Sequence, residues 1–234
     1  MGRRALSGYL AAMIPWETLD TAAIPGGGEL RLKRRGSEYS IMLGANELMN
    51  SRLSGSEEAL ARLTIERLAG RPRPKILIGG LGMGFTLRAA LALLPADAAV
   101  TVAELVPAVV AWARGPMAAL HGGSLDDTRV TIVEGDVGDA MRAGGWDAVL
   151  LDVDNGPEGL SRAGNDALYS HAGLAAAHAA LKPGGVLSVW SSGPDHSFTR
   201  RLKQTGFSVT EQVVRARAKS GARHVIWLAV RGSA

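Results

Sequence analysis

Apolar and polar positions along the chain follow two different periods, with the change near residue 70. In the first stretch, Gly28-Glu29-Leu30-Arg31-Leu32-Lys33-Arg34 alternates apolar and polar residues, and Glu38-Tyr39-Ser40-Ile41-Met42-Leu43 does so less strictly. With Arg35-Gly36-Ser37 between them as a turn, the pattern predicts a β-hairpin. From Ser56 to Leu68 the apolar positions Leu60, Leu63, Ile65 and Leu68 fall near helical spacing, and Ser56 with Glu58 predicts a capped start. Gly70-Arg71-Pro72-Arg73-Pro74 then interrupts any regular element. Two regions follow from this: a small hairpin and helix region over 1–70 and a larger domain over 71–234.

Beyond Pro74 short apolar runs alternate with helical patterns, as in a mainly parallel sheet covered on both faces. Strands are predicted at Ile76-Leu77-Ile78, Val100–Ala103, Arg129–Val133, Asp147–Leu151 and Val186–Trp190. Helices are expected after the first of these, over Pro107–Leu120, over Leu168–Leu181 and over Phe198–Thr205. Lys182-Pro183-Gly184-Gly185 ends the third of them. Two strands in succession, Phe207–Val214 and His224–Val230, close the chain as a hairpin with one antiparallel member.

The densest chemical signal lies between Lys75 and Glu104. A strand runs into the glycine turn Gly79-Gly80-Leu81-Gly82-Met83-Gly84, and a helix and second strand lead to Glu104, 20 residues after Gly84. Gly80, Gly82 and Gly84 allow a tight turn and close approach to a ligand, and a carboxylate ending the second strand can accept hydrogen bonds from both ribose hydroxyls. A nucleoside-type ligand is therefore expected, against the plainer reading of a structural glycine turn. In open α/β sheets ligands sit beyond the carboxyl ends of the strands. Those ends here also carry Glu134-Gly135-Asp136-Val137 and Asp152-Val153-Asp154-Asn155-Gly156-Pro157. Asp136 is either an acceptor for an exocyclic amine such as adenine N6 or a loop cap. Asp152 ends an apolar strand and is either a base that takes a proton from an attacking amine or a turn aspartate.

Composition narrows the classes. The 234 residues are 47% apolar and 21% charged, ordinary for a globular protein. Absence of cysteine excludes disulfides, thiolate metal sites and thiol nucleophiles. The net charge of +4 comes from arginines scattered among acids, so no nucleic-acid partner is expected. Met1–Leu19 lacks the apolar core of a signal peptide, and no apolar run approaches the roughly 20 residues needed to span a bilayer. A cytoplasmic address without membrane partner is the expectation. No metal is expected either: His171 and His178 lie seven apart on one helix without an acid at ligand spacing.

The motifs Gly79–Arg88, Ala103–Val110, Val133–Val137, Leu150–Pro157 and Leu181–Leu187 resemble the spermidine synthase-like branch of the class I AdoMet-dependent methyltransferase superfamily. The resemblance implies a Rossmann-like seven-stranded α/β sheet, with the early hairpin as the group's small N-terminal β-domain. It also implies that Glu104 binds the ribose of the donor, Asp136 its adenine, and Asp152 the proton of the acceptor amine, while Tyr169 lines the acceptor site. Gly80, Gly82, Met83, Gly84 and Val137 complete the donor site. Three departures stand out: Met83 replaces the aspartate that holds the donor ammonium in that group, Asn155 replaces a second acceptor aspartate, and Ser56–Ala61 replaces a tyrosine-histidine pair. An acid at position 83 would repel the carboxylate of intact AdoMet. Its loss leads to the expectation of an S-adenosylmethionine-dependent methyltransferase acting on a small-molecule acceptor. Aminopropyl transfer from decarboxylated S-adenosylmethionine is the alternative, and a non-catalytic nucleoside-binding protein the third reading. The N-terminal hairpin is a possible homodimer edge.

Overall fold

The computed structural model describes residues 14–68, 70–153, 167–217 and 220–233. The chain divides into two compact units, Met1–Leu53 and Ser54–Ala234.

In the first unit the predicted hairpin is the centre of a four-stranded antiparallel sheet in the order β1 (Glu17–Ala23), β2 (Glu29–Arg35), β3 (Glu38–Leu43), β4 (Asn46–Asn50). Alternation along β2 buries Leu30 and Leu32, and Leu32 pairs in register with the buried Ile41. The outer strands escaped sequence reading because β1 is mostly exposed and shows no buried period. Two of the four basic residues along β2 form ion pairs within the sheet: Arg34 with Glu17 at 3.1 Å and Arg35 with Glu38 at 2.7 Å.

In the second unit α1 (Gly55–Arg67) precedes seven strands and the helices between them. These are β5 (Lys75–Gly79), α2 (Phe85–Leu93), β6 (Ala99–Glu104), α3 (Pro107–Arg114), α4 (Ala118–His121), β7 (Val130–Glu134), α5 (Val137–Met141) and β8 (Trp146–Leu151), followed by α6 (His171–Ala180), β9 (Leu181–Ser191), α7 (His196–Gln204), β10 (Phe207–Arg217) and β11 (Ser220–Arg231). The sheet order is β10-β11-β9-β8-β5-β6-β7, and only β11 runs antiparallel to its neighbours. The break in composition near residue 70 is thus not the break in packing, which falls after Leu53. α1 belongs with the large sheet because its apolar face is buried there, and its Thr64 hydroxyl bonds at 2.6 Å to the Ser188 hydroxyl of β9. The helix expected over Pro107–Leu120 is two helices, since Pro116 has no N–H to donate and disfavours helical geometry at Gly115.

β8 is buried along its whole length, and Leu77, Val149, Leu151, Leu187 and Val189 join Phe198 and Trp227 in one core. At the amino ends of the strands Asp147 clamps the interrupted segment to the sheet. Its carboxylate meets Arg71 at 2.9 Å, Lys182 at 2.7 Å and the Lys75 backbone N–H at 2.8 Å. Burial pushes this carboxyl up, but Lys182, the Lys75 N–H and Arg71 outweigh it and hold the pKa below the ordinary value. Asp147→Ala is expected to cost about 1.5–3 kcal/mol, the range for hydrogen bonds to a charged group, read as a lower midpoint in urea unfolding.

Candidate functional site

The turn from β5 to α2 is held on both sides. The Gly80 N–H donates to the Ala103 carbonyl of β6 at 2.9 Å, and the Asp152 N–H donates to the Gly79 carbonyl at 3.0 Å. Gly80 has φ 87° and lies so close to the end of β8 that a Cβ there would sit 2.5 Å from the Asp152 carbonyl oxygen. Gly82 and Gly84 also have positive φ, and a Cβ on Gly84 would meet the His121 ring at 2.4 Å. The turn therefore leaves no room for side chains at Gly80 and Gly84, whatever ligand it holds. Met83, by contrast, is fully buried.

Glu104 closes the turn from the β6 side. Its carboxylate is buried and accepts from the Leu81 N–H and the Val106 N–H, both at 2.9 Å. Burial raises its pKa, opposed by those backbone donors. Two fixed N–H groups orient the carboxylate and leave lone pairs on both oxygens for a diol. Asp136 follows β7 as the N-cap of α5, accepting from the Gly138 N–H at 2.7 Å through Oδ1. Its cap role is thus observed, and only the remaining acceptor capacity is open to a ligand. The Val137 side chain is buried against Gly79, so any contact it makes with a ligand comes from its backbone.

Asp152 stands where β8 ends, on the opposite side of the turn. Its Oδ2 accepts from the Thr86 hydroxyl at 2.6 Å, and the same hydroxyl lies 3.3 Å from the Glu57 carbonyl. Burial pushes the Asp152 carboxyl up to about 7; the charge of Glu57 adds to the rise and the Thr86 hydrogen bond opposes it. A carboxyl with that pKa exchanges a proton near neutrality, as a general base must. Tyr169 is buried, its hydroxyl donating to the Val153 carbonyl at 3.3 Å and its ring packing edge-on against Phe198. Asp154 to Pro157, the rest of that motif, lie outside the described residues. His171 faces Gln204 and His178 packs on Phe207, apart from the site.

Sequence reading missed four groups here: Glu57, Thr86, His121 and His224. His121 is buried without a hydrogen-bond partner among the described residues, and burial with the nearby Arg88 charge lowers its pKa to about 4. No spacing rule links α1, α2, α4 and β11, so nothing short of the fold brings these residues to one turn.

No protein-family model matches the chain. The polyamine aminopropyltransferase of Mycobacterium tuberculosis is 33% identical over 147 residues, 58% of this chain and 27% of that protein, and that of Mycobacterium bovis matches equally. The chain thus spans about a quarter of the length of the curated relatives it matches. A crystal structure of spermidine synthase from Thermotoga maritima superposes with a TM-score of 0.73 at 19% identity, covering 93% of this chain and 74% of that one. A spermidine synthase in complex with the transition state analogue AdoDATO gives 0.72, also at 19%, covering 93% and 73%. The fold is that of the spermidine synthases. Both the sheet order and the separate four-stranded N-terminal sheet agree with this.

The spermidine synthase-like resemblance therefore holds in sequence and in fold, and the expectation of methyl transfer is corrected. The relatives described above are named for aminopropyl transfer, and the two structures described above are of spermidine synthases. The methyl reading rested on Met83 as a missing anchor. The Met83 side chain has no exposed surface.

The raised Asp152 pKa has a consequence for stability. Its folded value of about 7 exceeds the unfolded value near 3.8, so the stability it contributes is complete below about pH 3.8 and is lost as pH rises through 7. Asp152→Asn stays neutral throughout. It is expected to match the parent near pH 4 and to exceed it by about 2–4 kcal/mol at pH 8, at roughly 1.4 kcal/mol for each pH unit separating the folded and unfolded pKa values. Urea unfolding at the two pH values reads the difference.

Proposed function

We propose that this protein is an aminopropyltransferase that uses decarboxylated S-adenosylmethionine as donor and a small-molecule amine as acceptor. The observation that carries the proposal is Asp152, a half-buried carboxyl with a pKa near neutrality, beside a glycine turn whose other side holds an oriented carboxylate at Glu104. Similarity to polyamine aminopropyltransferases and to spermidine synthase structures supports the same reading.

In this reading Glu104 takes the ribose hydroxyls, the backbone at Gly80, Gly82 and Gly84 lies against the donor, and Asp136 with the Val137 backbone receives the adenine. The acceptor amine nitrogen attacks the methylene carbon bonded to the sulfonium. A C–N bond forms, the C–S bond breaks with its electron pair left on sulfur, and methylthioadenosine departs. The proton lost from nitrogen passes to Asp152. Holding the two reactants close and in line supplies much of the rate, and the base contributes roughly 10²- to 10⁴-fold. Tyr169 acts from behind, through its hydrogen bond to the Val153 carbonyl.

Incubation with decarboxylated S-adenosylmethionine and a diamine should release methylthioadenosine, measured by chromatography, whereas S-adenosylmethionine should release none. Asp152→Asn is expected to lower turnover by roughly 10²-fold or more while donor affinity by calorimetry stays within a factor of a few. Glu104→Ala is expected to cost about 1.5–3 kcal/mol of donor affinity, the range for hydrogen bonds to a charged group. Full turnover by Asp152→Asn would remove it from the reaction, and an unchanged affinity would overturn the ribose assignment.

A further inference from the structure

Two acids of the second unit flank the Thr86 hydroxyl, which lies 2.6 Å from the Asp152 carboxylate and 3.3 Å from the Glu57 backbone carbonyl, and only Asp152 has a role so far. Glu57 lies in the first turn of α1, half-buried, where sequence reading found only a departure from the resembled group. Its Oε2 accepts from the Ser56 hydroxyl at 2.7 Å. Ser56 is itself buried, and its oxygen lies 2.9 Å from Nδ1 of His224 on β11. Since the serine proton is spent on Glu57, the imidazole must donate through Nδ1–H. His224 is in turn packed edge-on against Trp190 at 4.8 Å. A chain of contacts from β9 and β11 thus holds Glu57 in place. The Thr86 hydroxyl, whose proton goes to the Asp152 carboxylate, lies beside the Glu57 backbone carbonyl.

Charge makes the arrangement unusual. Among the described residues no cation forms an ion pair with either acid. Glu58, the next acid of α1, is exposed; Arg88 of α2 is turned toward the Leu120 carbonyl at 2.8 Å; Arg215 and Arg217 of β10 and Arg223 of β11 are exposed. From β11 the titratable His224 reaches Glu57 through Ser56, and burial lowers its pKa, so it is neutral near pH 7. Two acids sharing a partly dry space without a counter-charge cannot both ionise cheaply, so one holds a proton for the other. Burial raises Glu57 as well, with the Ser56 hydroxyl opposing it. Of the two, Glu57 has the hydroxyl network that fixes an ionised carboxylate, and Asp152 stands against the turn.

We propose that Glu57 is a positioning residue for the transfer reaction, one that acts through Asp152 by keeping a fixed negative charge beside it and so making it a stronger base toward the acceptor amine. The proposal rests on the aminopropyltransferase reading for its chemistry, and the pairing of the two acids can be tested without it. On proton transfer the acceptor N–H bond breaks and the Asp152 O–H bond forms, and Glu57 remains ionised and stabilises the protonated aspartate. Glu57 itself touches neither reactant.

The test uses the full chain and three proteins: parent, Glu57→Gln and Glu57→Asp. Asp152 is titrated by carboxyl ¹³C NMR in the ligand-free protein, its signal assigned from the Asp152→Asn spectrum. The pH profile of kcat/KM is recorded with decarboxylated S-adenosylmethionine and a diamine. The parent should titrate near pH 7 in both. Glu57→Gln should move both midpoints down by about one pH unit or more and lower the plateau rate roughly tenfold, as a weaker base must. Donor affinity should not change. Glu57→Asp should restore most of the elevated midpoint. An Asp152 titration that Glu57→Gln leaves in place, in a variant with parental thermal stability, would overturn the proposal. A parent without aminopropyl transfer would instead defeat the functional reading, while the ¹³C titration would still decide whether Glu57 governs Asp152.

Discussion

The candidate site depends on how closely the turn after β5 passes the end of β8. At Gly80 the two backbones are separated by so little that even a methyl group would collide with the Asp152 carbonyl. This approach, fixed by one hydrogen bond to β6 and one to β8, brings Glu104 and Asp152 to opposite flanks of a single turn. It demands positive φ and no side chain in the same residue, which only glycine supplies. The parallel order of β8, β5 and β6 then places the carboxyl ends of these strands on one edge, so groups far apart in sequence share it.

That edge contrasts with the opposite one. At the amino ends of the strands Asp147 is paired with Arg71 and Lys182 and held ionised, a clamp whose charges are satisfied within the protein. At the carboxyl ends Glu104, Asp152 and Glu57 are all pushed toward their protonated forms by burial, with backbone N–H groups or hydroxyls in place of cations. Carboxylates kept away from internal counter-charges retain their capacity for a positively charged or proton-donating ligand, at some cost to the stability of the empty protein. The same feature would suit the sulfonium and the amine of the proposed reaction.

Much of the larger unit was legible from local pattern. The apolar runs of β5, β6 and β8, the glycine turn, and the terminal hairpin each carry their own signal within a dozen residues. Misreadings arose where tertiary context overrode that signal. The place of Met83 in a motif was visible in the sequence, and its burial was not. The N-terminal sheet read as a hairpin because β1 and β4 present no buried alternation. α1 read as part of the small region because proline and glycine mark a break at residues 70–74, although it packs on α2 just beyond that break and on β9 and β10 more than a hundred residues away.

The sequence by itself determined the α/β class, the turn that needs glycine, and the acids at the ends of β6 and β8, since periodicity and backbone chemistry act over short stretches of chain. Only the tertiary structure decided which of those groups are buried, what holds them and which meet. Glu57, Thr86, Asp152 and His224 come from four separate elements, and their pKa values and hydrogen bonds arise from the space enclosed when those elements pack. No property of any one segment contains that distance information.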